Sequence, residues 1–314
     1  MPPPKSNGLI KDMPVGLGAL GRPWPLPPST IWNARESHWQ ARKKLWLARG
    51  IKSEEGRGDK LLFGMPINRT LKDGTRVEDW SKQTSIFDPV LCELAVQNWS
   101  PQGGMVLDPF AGGSVRGVIS SLLGRKYLGC ELRSEQVEAN RKQGELPLLH
   151  GRYKPKWICG DSAVTLKGAM PEFDAILSCP PYGNLEVYSK EPGDISNISS
   201  YDEFLKIYSE IIALACGHLR EHSYIVWVVG NYRNKQGHIN DFVGDTIRAF
   251  AACGADLCHE IALLTPIATA CQRASSIFGP AAKVVKTHQN VLVFVRGSMD
   301  EAEKKIEKSR ESSG

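Results

Sequence analysis

The sequence predicts an α/β fold: a seven-stranded, doubly wound, mostly parallel sheet with an antiparallel terminal hairpin, preceded by a basic N-terminal extension. Three observations predict it. From residue 84 onward, short runs rich in β-branched and aromatic residues alternate with segments of helical period, the pattern of strands separated by crossover helices. The first run ends in a glycine turn that opens a helix, as at the ligand-binding end of such sheets. The chain of 314 residues, 41% hydrophobic and 23% charged, can bury a sizeable core, which excludes a disordered or fibrous protein.

Residues 1–30 are Pro-rich and weakly hydrophobic and read as an extended arm. Residues 33–49 carry a helical pattern, and residues 50–81 give no assignable period. Residues 31–83 are therefore taken as a Trp-rich basic extension to the main domain, 84–298. Seven strands are predicted there: Met105–Asp108, Lys126–Glu131, Lys156–Gly160, Asp174–Ser178, Tyr224–Val229, Leu257–Leu264 and Asn290–Val295. The clearest helix spans Ser200 to Leu219. Ser200 and Glu203 form a capping box, and Phe204, Ile207, Tyr208, Ile211, Ile212 and Ala215 fall on one stripe. The long excursion 265–289 between the last two strands suits an antiparallel hairpin. The charged, Ser-ended tail 299–314 reads as frayed.

No apolar stretch approaches the roughly 20 residues that span a bilayer, and the start Met-Pro-Pro-Pro-Lys lacks the apolar core of a signal peptide, so a cytoplasmic protein is expected. The eight cysteines include no Cys-x-x-Cys pair, so reduced, packed thiols and no metal site are expected. The net charge of +5 is unevenly placed: residues 1–85 hold 15 Lys and Arg against 8 Asp and Glu, leaving the remainder slightly acidic. Trp39 and Trp46 lie seven apart, on one helical face, with Arg42 and Lys43 between them. Such a segment suits contact with phosphates and bases, or a helix whose Trp face docks on the main domain; the pattern admits both.

The chemistry concentrates at strand ends. Val106-Leu107-Asp108-Pro109-Phe110-Ala111-Gly112-Gly113 joins strand to helix, and the glycines allow close approach of backbone to a ligand. The second strand ends in Glu131, 23 residues after Asp108, the spacing at which an acid accepts from ribose hydroxyls. The third ends beside Asp161. Three carboxylates at successive strand ends repel phosphates and favour a nucleoside that carries a sulfonium and an ammonium, which points to S-adenosylmethionine over NAD or ATP. The fourth ends in Ser178-Cys179-Pro180-Pro181-Tyr182, a rigid corner that holds an aromatic ring over the same crevice.

Asp-Pro-Phe-Ala-Gly-Gly at 108–113 together with Cys-Pro-Pro-Tyr at 179–182 resembles the amino-methyltransferases of DNA, and the likeness runs from about Thr84 to Gly297. It implies a Rossmann-like methyltransferase sheet and S-adenosylmethionine held by Thr84, Ser85, Asp108, Phe110, Gly112, Gly113, Glu131, Asp161 and Ser178. It further implies transfer to the exocyclic amine of a base flipped from double-stranded DNA, at a corner made by Cys179, Pro180, Pro181 and Tyr182. The whole is similar to stand-alone methylases carried by bacteriophages, which leaves a restriction-modification setting open.

Two positions depart from the family pattern. Ser114 stands where glycine is usual. Cys179 replaces an Asp, Asn or Ser that accepts from the target amine; a thiol is a poor acceptor, and its near-isostery with serine leans the target toward cytosine N4 over adenine N6. The glycine loop and the corner leave no room between them for a recognition domain. DNA contact is therefore assigned to Arg42 and Lys43 in the N-terminal region and to Arg273, Lys283, Lys286 and His288 in the excursion 265–289, which contains no acid. Its other reading is a cover over the sheet edge. The competing activities are amino-methylation of RNA or of protein glutamine, and ring-carbon methylation of a pyrimidine with Cys179 as nucleophile.

Overall fold

The structure, a computed structural model, describes residues 29–52, 55, 68–70, 76–78, 87–183, 189, 191–265, 278 and 282–312. Thr84, Ser85, Arg273 and most of the Pro-rich arm lie outside them. In chain order the elements are β1 (Ile31–Asn33), α1 (Ser37–Ala48), β2 (Asn68–Thr70), β3 (Arg76–Glu78), α2 (Pro89–Trp99), β4 (Met105–Asp108), α3 (Val115–Leu122), β5 (Lys126–Glu131), α4 (Ser134–Gly144), β6 (Lys156–Cys159), α5 (Ser162–Thr165), β7 (Phe173–Ser178), α6 (Tyr201–Gly217), β8 (Leu219–Val229), β9 (Tyr232–Arg233), β10 (Ile239–Asn240), α7 (Phe242–Ala251), β11 (Ala255–Leu264), β12 (His288–Arg296) and α8 (Met299–Glu311).

Eight strands form one sheet in the order β1-β11-β12-β8-β7-β4-β5-β6. β12 runs antiparallel to β11 and β8, and the other pairings are parallel. β2–β3 and β9–β10 are separate antiparallel pairs. The period-2 alternation of the central strands divides the core between two faces. Tyr224, Val226 and Val228 of β8 and Val291, Val293 and Val295 of β12 join the cluster that contains Trp39, Trp46, Val90 and Ile119. Ile225, Trp227, Val229, Leu292 and Phe294 point the other way, into Phe204, Tyr208, Phe242 and Phe250. Each large side chain so buried contributes about 1.5–3 kcal/mol relative to exposure, which explains why these strands read clearly from sequence.

α6 begins where its cap predicts, with Ser200 Oγ accepting from Glu203 N at 3.4 Å, and buries Phe204, Tyr208, Ile211, Ile212 and Ala215. Three expectations are corrected. The sheet has an eighth strand, β1, paired in parallel with β11 from Ile31↔Ala262 to Asn33↔Leu264. The helix expected from residue 33 therefore starts at Ser37, and the N-terminal segment shares the sheet and core of the main domain. The tail is a helix: Ser298 caps α8, Ala302 and Ile306 are buried, and Arg310 donates to Gln97 O at 2.8 Å. Two apolar residues one turn apart are a weak signal in sequence but enough to dock a capped helix. Among the described residues, no helix is long and apolar enough to cross a membrane.

Candidate active site

β5 and β6 extend from β4 on one side of the sheet, and β7 and β8 on the other. The carboxyl ends of β4 and β7 thus meet where the strand order reverses, the place where open α/β sheets hold ligands. Asp108, Glu131 and Ser178 end β4, β5 and β7, and Asp161 lies two residues past β6.

Asp108 is fully buried and committed to protein partners. Its carboxylate accepts from Arg116 Nε at 2.5 Å, Tyr127 Oη at 2.7 Å, Ser178 Oγ at 2.6 Å and Phe110 N at 3.2 Å. Arg116, also buried, donates onward to the carbonyls of Phe110 and Ala111 and lies over the Phe87 ring, 4.5 Å from its centroid. Burial alone would lower the Arg116 pKa, but Asp108, then Tyr127 and Cys179, hold it above its ordinary value, so the guanidinium stays charged. Burial, then Asp108, pushes the Tyr127 phenol well up, keeping it a donor. The expectation that a ligand meets three negative charges here is corrected at Asp108. Arg116 neutralises Asp108, and Ser178 spends its hydroxyl on Asp108; both residues shape the loop from within. Arg116 and Tyr127 were missed in sequence, although an arginine on the buried face of α3 is the signal that could have found Arg116.

The loop surface is built by Glu131 and Gly112. Glu131 Oε2 accepts from Gly112 N at 2.9 Å and Oε1 from Arg133 N at 3.0 Å. Gly112 has φ +51°, disfavoured for any residue with a Cβ, and a Cβ there would meet nothing within 4 Å, so this backbone faces open space. Asn140 Nδ2 holds the Gly112 carbonyl at 2.7 Å. Gly113 follows, half-buried, and Ser114 sits in ordinary helical geometry at the start of α3, so the missing glycine imposes no strain. Asp161 caps α5 through Ala163 N at 2.8 Å and is half-buried. The ring of Phe110 packs edge-on against Trp227.

The corner leaves β7 directly. Cys179 is half-buried against the core cluster that includes Val90 and Val118, Pro180 is buried, and Pro181 is half-buried. The Tyr182 ring packs edge-on against Phe242 at 5.9 Å, and its Oη accepts from Gln289 Nε2 at 2.8 Å. Gly183 makes the turn with φ +51°, where a Cβ would lie 2.2 Å from Tyr232 Oη. Gln289 belonged to no expected site.

The basic residues separate into two groups. Arg42 makes a bidentate pair with Glu93, and Lys43 Nζ lies 2.9 Å from Asp88. The structure thus gives both residues internal partners in place of the expected phosphates, and buries Trp39 and Trp46. Lys283 lies beside Gly237, Lys286 Nζ approaches Asn231 O at 3.4 Å, and His288 begins β12 exposed. None of these three makes an ion pair among the described residues.

Residues 20–142 match the family described as DNA methylase, of the N6/N4 class. The likeness to DNA amino-methyltransferases rests on this match and on a curated relative, the orphan methyltransferase M.BamHII of Bacillus amyloliquefaciens. That relative is 34% identical over 73 residues, which are 23% of this chain and 28% of the relative, so the match spans little more than a quarter of the relative's length. S-adenosylmethionine is the cofactor of the family.

Similar solved structures include TrmN from Thermus thermophilus, with TM-score 0.44 and 15% identity over 67% of this chain and 49% of that one. A methyltransferase from Pyrococcus furiosus gives TM-score 0.44 and 15% identity over 68% and 84%. Magnesium protoporphyrin IX methyltransferase from Synechocystis, solved with bound SAM, gives TM-score 0.40 and 11% identity over 62% and 71%.

Proposed function

We propose that the protein methylates an exocyclic amine of a base flipped out of double-stranded DNA, with cytosine N4 favoured over adenine N6. The observation that carries this reading is the bond from Ser178 Oγ to Asp108 at 2.6 Å, which ties the Pro-Pro-Tyr corner to the glycine loop, so that groups suited to a base and to a nucleoside cofactor open on one crevice. The donor set fits S-adenosylmethionine. Glu131 brings a carboxylate beside the Gly112 backbone at the end of β5, Asp161 supplies a second carboxylate, and the open backbone at Gly112 admits close approach.

When bound, S-adenosylmethionine supplies an electrophilic methyl group. An aromatic amine is a weak nucleophile because its lone pair is delocalised, so the chain must hold it in line and draw its protons away. The Pro180 carbonyl and the residue-179 side chain accept hydrogen bonds from the amine N–H groups, Tyr182 stacks on the base, and the proton displaced by the methyl group leaves to solvent. Alignment of this kind is worth about 7–11 kcal/mol, against a few kcal/mol to flip the base. In this reading residues 84–298 form the catalytic unit, the excursion 265–289 meets DNA through Lys283, Lys286, His288 and Arg273, and Thr84 and Ser85 reach the methionine end of the cofactor. The enzyme is site-specific and stand-alone, of the phage type, and acts in the cytoplasm of a bacterial or phage-infected cell.

Tritium transfer from methyl-labelled cofactor to duplex DNA, single-stranded DNA, RNA and protein tests the reading. Label in duplex DNA, recovered as N4-methylcytosine, is expected; label only in RNA or protein would overturn the DNA substrate. Cys179→Ser, assayed alongside, should keep or raise activity, because a hydroxyl accepts the amine proton better than a thiol. Collapse of that variant, with a denaturation-resistant adduct between the wild type and fluorinated cytosine in DNA, would assign Cys179 to ring-carbon chemistry instead.

A further inference from the structure

The Tyr182 ring is fixed from more than one side, and the bond to its hydroxyl comes from a residue 107 positions away. Gln289 Nε2 donates to Tyr182 Oη at 2.8 Å. Phe242 meets the ring edge-on at 5.9 Å. At Gly230 a Cβ would lie 3.0 Å from Lys286 Nζ and 3.9 Å from Tyr182 Cε2, which places the ring and the ammonium on the same small patch of backbone. Gln289 is held in turn by the sheet: it is the second residue of β12, in register with Leu263 of β11, and its neighbour Asn290 is in register with Val229 of β8. The amide that orients the phenol therefore sits on a rigid strand, at the point where the chain leaves the basic, acid-free segment 282–288.

We propose that Gln289 is a positioning residue for methyl transfer. It sets the angle of the Tyr182 ring and couples that ring to the segment carrying Lys283, Lys286 and His288. This rests on the reading of Tyr182 as the base-stacking residue. Phe242 and the core limit the ring's travel, and the Gln289 amide holds its hydroxyl with a neutral donor, without adding charge beside a substrate rich in phosphate. Strand-end residues suit such a task because strands hold side chains more closely than loops do.

A double-mutant cycle tests the proposal in the full-length protein. Gln289→Met keeps the length and removes the amide; it should lower kcat for DNA methylation about fivefold, the loss of one hydrogen bond of ordinary net strength. Cofactor affinity by calorimetry should stay unchanged. Tyr182→Phe should cost a similar factor, and Gln289→Met in the Tyr182→Phe background should add nothing, since the bond is already gone. Equal fractional losses in both backgrounds would overturn the proposal, as would a parallel loss of cofactor affinity, the mark of general structural damage. A second readout is independent of the reaction. With 13C-labelled tyrosine rings, the Tyr182 resonance should shift and broaden in Gln289→Met. An unchanged resonance would overturn the inference even in an active enzyme, whereas a wild type that labels no DNA while this resonance responds would place the failure in the substrate reading.

Discussion

Helix α1 and the closing segment 282–288 are both rich in lysine, arginine or histidine, yet the fold treats them in opposite ways. Arg42 and Lys43 of α1 face Glu93 of α2 and its N-cap Asp88, and the pair Arg42–Glu93 is sealed with Trp46, whose Nε1 donates to the same carboxylate at 2.8 Å. Lys283, Lys286 and His288 lie in a stretch without a single acid and make no ion pair among the described residues. The first set fastens a helix to the core; the second has no carboxylate partner among the described residues and, on the proposed function, meets phosphate. A basic residue is available to phosphate only where the fold supplies no carboxylate of its own, and a charge count along the sequence cannot distinguish the two.

The largest effect expected from this contrast is in stability. Arg42→Met leaves the Glu93 carboxyl buried without its cation and should cost about 3–5 kcal/mol. Thermal unfolding would register this as a melting temperature lower by roughly 10 °C. Burial already raises the Glu93 pKa, with the bonds from Arg42 and Trp46 acting the other way, so removing Arg42 raises it further. A folded-state pKa above the unfolded one means that the deficit is greatest at high pH. It shrinks as pH falls through the folded value toward the ordinary carboxylate range, where a proton replaces the guanidinium. Arg42→Met combined with Glu93→Gln should recover most of the loss, because the amide oxygen still accepts from Trp46. An Arg42→Met protein of wild-type stability that binds DNA with a shallower salt slope would reverse the comparison.

The next effect is on DNA binding alone. Lys283→Ala with Lys286→Ala should leave melting unchanged while reducing the slope of log affinity against log salt by about 0.9 for each phosphate that the variant no longer neutralises. A slope equal to the wild type's would move the DNA interface elsewhere. The smallest effect belongs to Lys44, exposed on the outer side of α1. Lys44→Ala should change stability by less than about 0.5 kcal/mol and leave the salt slope intact. A measurable fall in that slope would restore α1 to the interface by its outward face.

What the sequence by itself determined are the features whose cause is local. The seven central strands, α6 with its Ser200 cap, the glycine loop at 108–113 and the Pro-Pro-Tyr corner all read directly. Alternation, capping and backbone restriction act within a few residues, and burial on two faces forced the strands to be apolar throughout. β1 and α8 were not legible, since a three-residue edge strand and a helix held by Ala302 and Ile306 offer too short a pattern to outweigh their polar neighbours. Within the site, the tertiary structure alone decided that Asp108 serves Arg116 and Ser178, that Arg42 serves Glu93, and that Gln289 holds Tyr182. Asp108 and Ser178 are 70 residues apart, Arg42 and Glu93 51, and Gln289 and Tyr182 107. A side chain's type states what it can bond; which partner lies within reach is settled by strand order and helix packing, and no local pattern along the chain carries that choice.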